Sequence, residues 1–292
     1  MKLGDILLAA LPPALWAMTY TIAKPATNHF PPLFLTSLAY ALAAGVLFRP
    51  GARWQTPYWA LAICATLSGS IQSALIFSGI ARVSASLAIL VVQSQVPFAV
   101  LAAWAIGRES MNLQRFIGIV VSLGGVFLVV GTSGAIGQIG GLLLIVLGTL
   151  SWGVSQGTAR ATSRDAGSQL MAAISFVAAP QLLALSMLLE TGQIEAIKSA
   201  RWLDWAGLAV LAFGGYAAAY TIWYGLLRRY RVDQIAPFAL LMPIMGVLAS
   251  ALMLGERPST LALGGGVIIL IGLALVVRAP EARAQSTNAI TD

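Results

Sequence analysis

Ten apolar stretches follow one another along this chain, separated by short breaks of Pro, Gly, Ser, Asn or charged residues. They fall at about 5–23, 32–48, 58–80, 85–107 and 113–131, then at about 138–158, 168–190, 203–226, 233–254 and 260–278. Stretches of roughly 18–24 residues, rising about 1.5 Å per residue, cross a hydrocarbon core of about 30 Å. The pattern predicts an all-α integral membrane protein with ten transmembrane helices and no room for a soluble domain. Arg82 separates the third stretch from the fourth, and the Arg228-Arg229-Tyr230-Arg231 cluster separates the eighth from the ninth.

The second five stretches repeat the first five. The run from Trp16 through Tyr20 to Lys24 matches the run from Trp152 through Gln156 to Arg160. Pro97 followed by Glu109 matches Pro243 followed by Glu256, with one residue of slippage. Beyond the glutamates the register holds, with Gly118 matching Gly265 and Gly125 matching Gly272, each 147 residues on. Two related units with an odd number of spans must lie in the bilayer with opposite orientation. The expectation is a 5+5 inverted-topology repeat around a central cavity, with units at 1–134 and 135–280 and a disordered polar tail at 281–292. Such repeats hold their ligand site near the midplane.

Composition agrees with a lipid environment: 59% of residues are hydrophobic and 9% charged, against about 25% charged in soluble domains. The net charge of +7 does not indicate nucleic acid, because the basic residues are scattered with no basic face. They set orientation instead. With the N-terminus cytoplasmic, twelve Lys and Arg residues fall on the inner side and Lys24, Arg82, Lys198, Arg201 and Arg257 on the outer, a positive-inside bias. Lys2 and the Ile6–Leu15 run resemble a signal peptide, but the run continues into the repeated Trp16 block and is read as a retained first span. Cys64 is the lone cysteine, so no internal disulfide or CxxC site forms, and His29 reads as a solvated loop residue. No metal or cofactor is expected, and the signatures of P-loop, serine-hydrolase and zinc-protease chemistry are absent.

The candidate chemistry is that of a binding cavity. Trp16, Tyr20 and Lys24 share one helical face, as do Trp152, Gln156 and Arg160. Lys24 and Arg160 fit headgroup anchoring, whereas the two tryptophans lie deeper and suit a cavity. The eighth stretch carries Tyr216, Tyr220, Trp223 and Tyr224 where the third has Ser70, Ala74, Phe77 and Ser78. Tyr216 and Tyr220 fall at mid-membrane, while Trp223 and Tyr224 suit an interfacial belt. Gln72, Gln93, Ser94 and Gln95 must face the interior, since a glutamine is costly in hydrocarbon; Gln181 is a weaker candidate of the same kind. Pro97 and Pro243 each remove a backbone donor near mid-span and are candidate hinge or gating points. Pro237 reads as a first-turn proline. Gly118, Gly124, Gly125 and Gly131 against Gly264, Gly265, Gly266 and Gly272 predict close packing of the fifth and tenth helices. All ten acidic residues fall at span ends, in loops or in the tail. That favours a facilitator over a pump coupled through a buried carboxylate, and structural roles for Glu109 and Glu256.

These blocks and this topology resemble the drug/metabolite transporter superfamily, EamA type, over residues 3–278, and among its members the bacterial YddG-type aromatic amino-acid exporters. The resemblance implies a bacterial inner-membrane location, a basket-shaped bundle and a cavity walled by both units, with the fifth and tenth helices apart from it. The reading that follows is a secondary transporter, not an enzyme, that exports neutral amino acids including aromatic ones, as monomer or homodimer. Its site would be Trp16, Tyr20, Gln72, Gln93, Trp152, Gln156, Tyr216 and Tyr220. Efflux of other metabolites, drugs, cations or nucleotide sugars is the alternative, and a membrane-embedded enzyme or scaffold the more distant one.

Overall fold

The computed structural model describes residues 3–49, 51, 53–106, 111–131, 136–227, 229–230 and 236–278. Glu109, part of the arginine cluster and the expected tail at 281–292 lie outside the described residues. Every described element is helical. The order is α1 (Leu3–His29), α2 (Pro32–Leu47), α3 (Tyr58–Cys64), a π-helical stretch (Ala65–Ile71), α4 (Gln72–Ile80), α5 (Ala85–Val92), α6 (Gln95–Ala105) and α7 (Leu113–Gly131). There follow α8 (Ile136–Thr162), α9 (Gly167–Leu189), α10 (Gln193–Ser199), α11 (Trp202–Ala209), a second π-helical stretch (Val210–Ala218) and α12 (Ala219–Leu227). A 3₁₀ turn (Ala236–Leu240), α13 (Leu241–Leu254) and α14 (Thr260–Arg278) complete the described chain.

Eight of these helical segments, some built from consecutive elements, are long and apolar enough to cross a membrane. The second and ninth predicted spans are shorter. Pro31 and Pro32 start α2 late and it ends at an extended Phe48, leaving 16 residues. The ninth opens with the tight 3₁₀ turn, so its apolar helix runs only over Phe238–Leu254. His29, expected in a loop, forms the last turn of α1, half-buried, with Nε2 2.9 Å from the Ala196 carbonyl.

The surface is greasy and the interior is made of small residues. Phe127 is 81% exposed, Leu188 79% and Leu252 77%, whereas Ala, Gly and Ser dominate the buried positions. In water so much apolar surface would drive association; in lipid it is solvated, and small buried residues let helix backbones close up. The tightest case is α7 on α14. A Cβ on Gly118 would lie 2.8 Å from the Gly272 carbonyl oxygen, and one on Gly125 2.8 Å from that of Gly265. Gly124, Gly131 and Gly264, also predicted for this seam, face open space, and Gly266 packs on Leu90.

The most extensive of the remaining contacts run crosswise between the early and late parts of the chain. Helix α1 packs on α13, and α8 on α6; α2 packs on the second π stretch, and α9 on the first. Carboxylates tie these elements at their ends. Glu190 accepts hydrogen bonds from the Leu33 and Phe34 N–H groups (2.9 and 3.1 Å), and Asp165 from those of Gln55 and Thr56 (2.9 and 3.0 Å). Charge-assisted bonds of this kind are about twice as strong as neutral ones.

Candidate functional site

Two walls enclose a cavity of about 930 Å³. The first is aromatic: α1 supplies Trp16 and Tyr20, and the chain from the second π stretch into α12 supplies Tyr216, Tyr220 and Trp223. The second is polar: α4 supplies Gln72 and Ser73, α6 supplies Gln95, and α8 supplies Trp152 and Gln156. Tyr40 of α2 joins the two. Its ring stacks on Tyr216, with centroids 4.2 Å apart and 11° between planes, and its hydroxyl lies 3.0 Å from Ser73 Oγ. The Tyr216 hydroxyl neighbours the same pair but meets hydrogen-bond geometry with neither.

Backbone irregularity positions the aromatic wall. A π-helical turn shifts carbonyls out of the usual ladder, and each π stretch here offers one to a neighbouring helix. Trp16 Nε1 donates to the Gly215 carbonyl at 3.2 Å, and Ser151 Oγ to that of Leu67 at 2.8 Å. A buried indole N–H needs such an acceptor. Gly215 is required for the approach, because a Cβ there would lie 2.6 Å from Thr19 Oγ1. Trp16 then meets Tyr220 and Trp223 edge-on, at centroid distances of 5.3 and 5.5 Å. On the polar wall, α8 seats against α4 through Gly141 and Gly148 and against α6 through Gly153 and Gly157. That places Trp152 and Gln156 between the two contacts.

Seven of the eight predicted site residues line the cavity: Trp16, Tyr20, Gln72, Trp152, Gln156, Tyr216 and Tyr220. Gln93 does not. It occupies the junction of α5 and α6, where Gln93, Ser94 and Val96 donate to carbonyls three residues back. This tightened turn carries Gln95 to the cavity and leaves Gln93 2% exposed, its Nε2 without a partner. Pro97 and Pro243 are buried as the third residues of α6 and α13, off the wall but beside its Val96 and Met242. Trp223, expected in an interfacial belt, lines the cavity because its ring is drawn onto Trp16. Gln181 packs α9 to the first π stretch, accepting from Ser70 Oγ at 2.5 Å. The prediction missed Tyr40 and Ser73: Tyr40 sits in an apolar run with no matching partner, whereas a serine beside Gln72 was a usable signal.

The lining continues to one end of the bundle, through Ser163, Arg164 and Asp165 between α8 and α9. Arg164 and Asp165 are the charged residues among the described lining, and both belong to this mouth. Burial alone would raise the Asp165 carboxyl, but hydrogen bonds from Thr56 and the Gln55 N–H outweigh it and hold the group below the usual carboxylate range.

Long apolar helices, a lipid-suited exterior and an internal cavity of rings and amides define a multi-pass membrane protein of transporter type. The profile of the EamA-like transporter family matches residues 3–131 and again residues 139–278. The chain belongs to that family. It is 28% identical to a Salmonella typhimurium protein described as a probable amino-acid metabolite efflux pump, with 94% of each chain covered. An Escherichia coli protein of the same description is also 28% identical, again over 94% of each chain. One crystal structure superposes with a TM-score of 0.67 at 19% identity, covering 95% of this chain and 99% of the other; that likeness speaks to the fold alone.

Proposed function

We propose that this protein exports neutral amino acids, aromatic ones included, by alternating access around the cavity. The observation that carries the reading is the lining: away from the mouth, its described residues are rings, amides, hydroxyls and aliphatic groups without a charged side chain. Such a site suits a solute with an apolar or aromatic side chain and no net charge. Trp16, Trp152, Tyr216 and Tyr220 stack on that side chain and attract the ammonium group by cation–π contact, worth about 0.5–2 kcal/mol. Gln72 and Gln156 hydrogen-bond the polar end. The two relatives described as probable amino-acid metabolite efflux pumps support this cargo.

The architecture that goes with it is a 5+5 inverted repeat, 1–134 and 135–280, with α2 and the short helix ending in α13 counted as spans. Support comes from the double family match, the crosswise packing, the paired π stretches, and the two prolines at the same place in α6 and α13. Pro97 and Pro243 serve as hinges. We assign the chain to the bacterial inner membrane with both termini cytoplasmic, on the basic-residue bias; the mouth at 163–167 then faces the cytoplasm, as loading for export requires. Uptake of radiolabelled phenylalanine into proteoliposomes tests the reading. Trp152→Ala, Tyr216→Ala and Tyr220→Ala should each reduce it with folded protein retained. Unchanged uptake removes those side chains from the site, and a solute panel in which amino acids fail but another class is carried replaces the cargo.

A further inference from the structure

Beyond the end of the cavity opposite the mouth lie two charged side chains whose roles the transport reading leaves unassigned. Lys24 lies one turn beyond Tyr20 on the same face of α1. It does not reach for headgroups as the sequence suggests. Its ammonium turns inward and donates to the Ile80 and Ala81 carbonyls, at 2.8 and 3.0 Å, at the C-terminal end of α4. Glu256, in the turn between α13 and α14, grips the start of α5. Its carboxylate accepts from the Ala85 and Ser86 N–H groups, both at 2.8 Å, and from Ser86 Oγ at 2.6 Å. The hairpin from Ile80 to Ser86 is thus held at both ends, a cation on the negative end of one helix and an anion on the positive end of the next. The charges arrive from α1 and from the foot of α13, which pack on each other.

We propose that Lys24 and Glu256 form a clamp that keeps this end of the cavity shut and must release the α4–α5 hairpin for the site to open there. The proposal rests on the transporter reading but not on the cargo. Five charge-assisted bonds from two side chains hold this one turn. They also link elements remote in sequence: Lys24 is 56 residues from Ile80, and Glu256 is 171 from Ala85. Neither lines the cavity, so both are positioning residues.

The experiment measures the distance between spin labels at Arg82→Cys and Lys198→Cys, two exposed positions at this end, in solute-free protein carrying Cys64→Ser. Lys24→Gln and Glu256→Gln should each raise the long-distance population about tenfold, the equivalent of one lost charge-assisted bond, and Lys24→Arg should restore the parent distribution. Distributions that superpose on the parent in both glutamine variants overturn the clamp. If neither variant folds, hydrogen exchange in the unmodified chain decides: the Ala85 and Ser86 amides should exchange faster than the Glu190-capped Leu33 and Phe34 amides, and equal or slower exchange overturns it. A lost phenylalanine uptake with the expected distances would sink the cargo and leave the clamp.

Discussion

The seam between α7 and α14 and the walls of the cavity treat the same internal duplication in opposite ways. At the seam the matched positions, Gly118 with Gly265 and Gly125 with Gly272, are identical, and they pack in crossed pairs, Gly118 against Gly272 and Gly125 against Gly265. At the walls Trp16 and Trp152 match, but other matched positions diverge. Tyr216, Tyr220 and Trp223 stand 146 residues after Ser70, Ala74 and Phe77, while Gln72 and Gln95 correspond to Ala218 and Leu241. Backbone contact leaves a seam one solution, and that solution is symmetric. The proposed amino-acid ligand is not symmetric, and the walls divide into a ring side and an amide side.

The seam offers the largest effect. Gly125→Leu drives a side chain into the Ile269 N–H and Gly265 carbonyl, 2.7 and 2.8 Å from its Cβ, where backbone cannot yield. A loss of about 3 kcal/mol or more is expected, seen as collapse of the monodisperse fraction in detergent. Gly124→Leu, one residue away and facing open space, should behave like the parent. Similar behaviour of the two variants would mean that α7 and α14 are not locked together as described.

At the walls the division of labour predicts unequal losses. Tyr220→Ala should raise the half-saturation concentration for phenylalanine about 2- to 13-fold, the range of one lost ring–ring contact, with a much smaller change for alanine. Gln156→Ala should weaken both solutes alike, because each carries the same polar end. Equal effects of Tyr220→Ala on both amino acids would break the contrast between walls.

The duplication made most of the walls legible. Trp16 and Trp152 stood out because a polar face recurred at the same spacing in an apolar run, and Tyr216 and Tyr220 because their counterparts did not match. What stayed hidden depends on backbone detail that hydropathy does not encode. The tightened turn before Pro97 exchanges Gln93 for Gln95 at the cavity. The π stretches leave no mark in composition, although they decide which carbonyls Trp16 and Ser151 meet. Lys24 was misread because snorkelling and helix capping ask for the same residue at the same depth; only the neighbouring end of α4 distinguishes them.

Those two π carbonyls give a smaller, paired test. Trp16→Phe and Ser151→Ala each remove a side-chain donor to a carbonyl of a π stretch. Each should cost about 1 kcal/mol, read as a modest fall in the thermal midpoint. A larger loss for Trp16→Phe would show that its ring contacts with Tyr220 and Trp223 outweigh its hydrogen bond.

The smallest effect lies at the mouth, where Asp165 joins the turn after α8 to the segment before α3. Its carboxyl is held below the usual range in the folded chain. A depressed folded value stabilises the protein above the unfolded value of about 3.9, and that contribution is lost as pH falls through the folded value. Asp165→Asn removes the charge, so the parent should exceed the variant in thermal midpoint by a small, constant margin from pH 7 down to about 5. The margin should shrink below about pH 4 as the parent's carboxylate is protonated. A margin that widens on acidification, or one that never changes, would mean that hydrogen bonding to the ionised group is not what fastens Gln55 and Thr56.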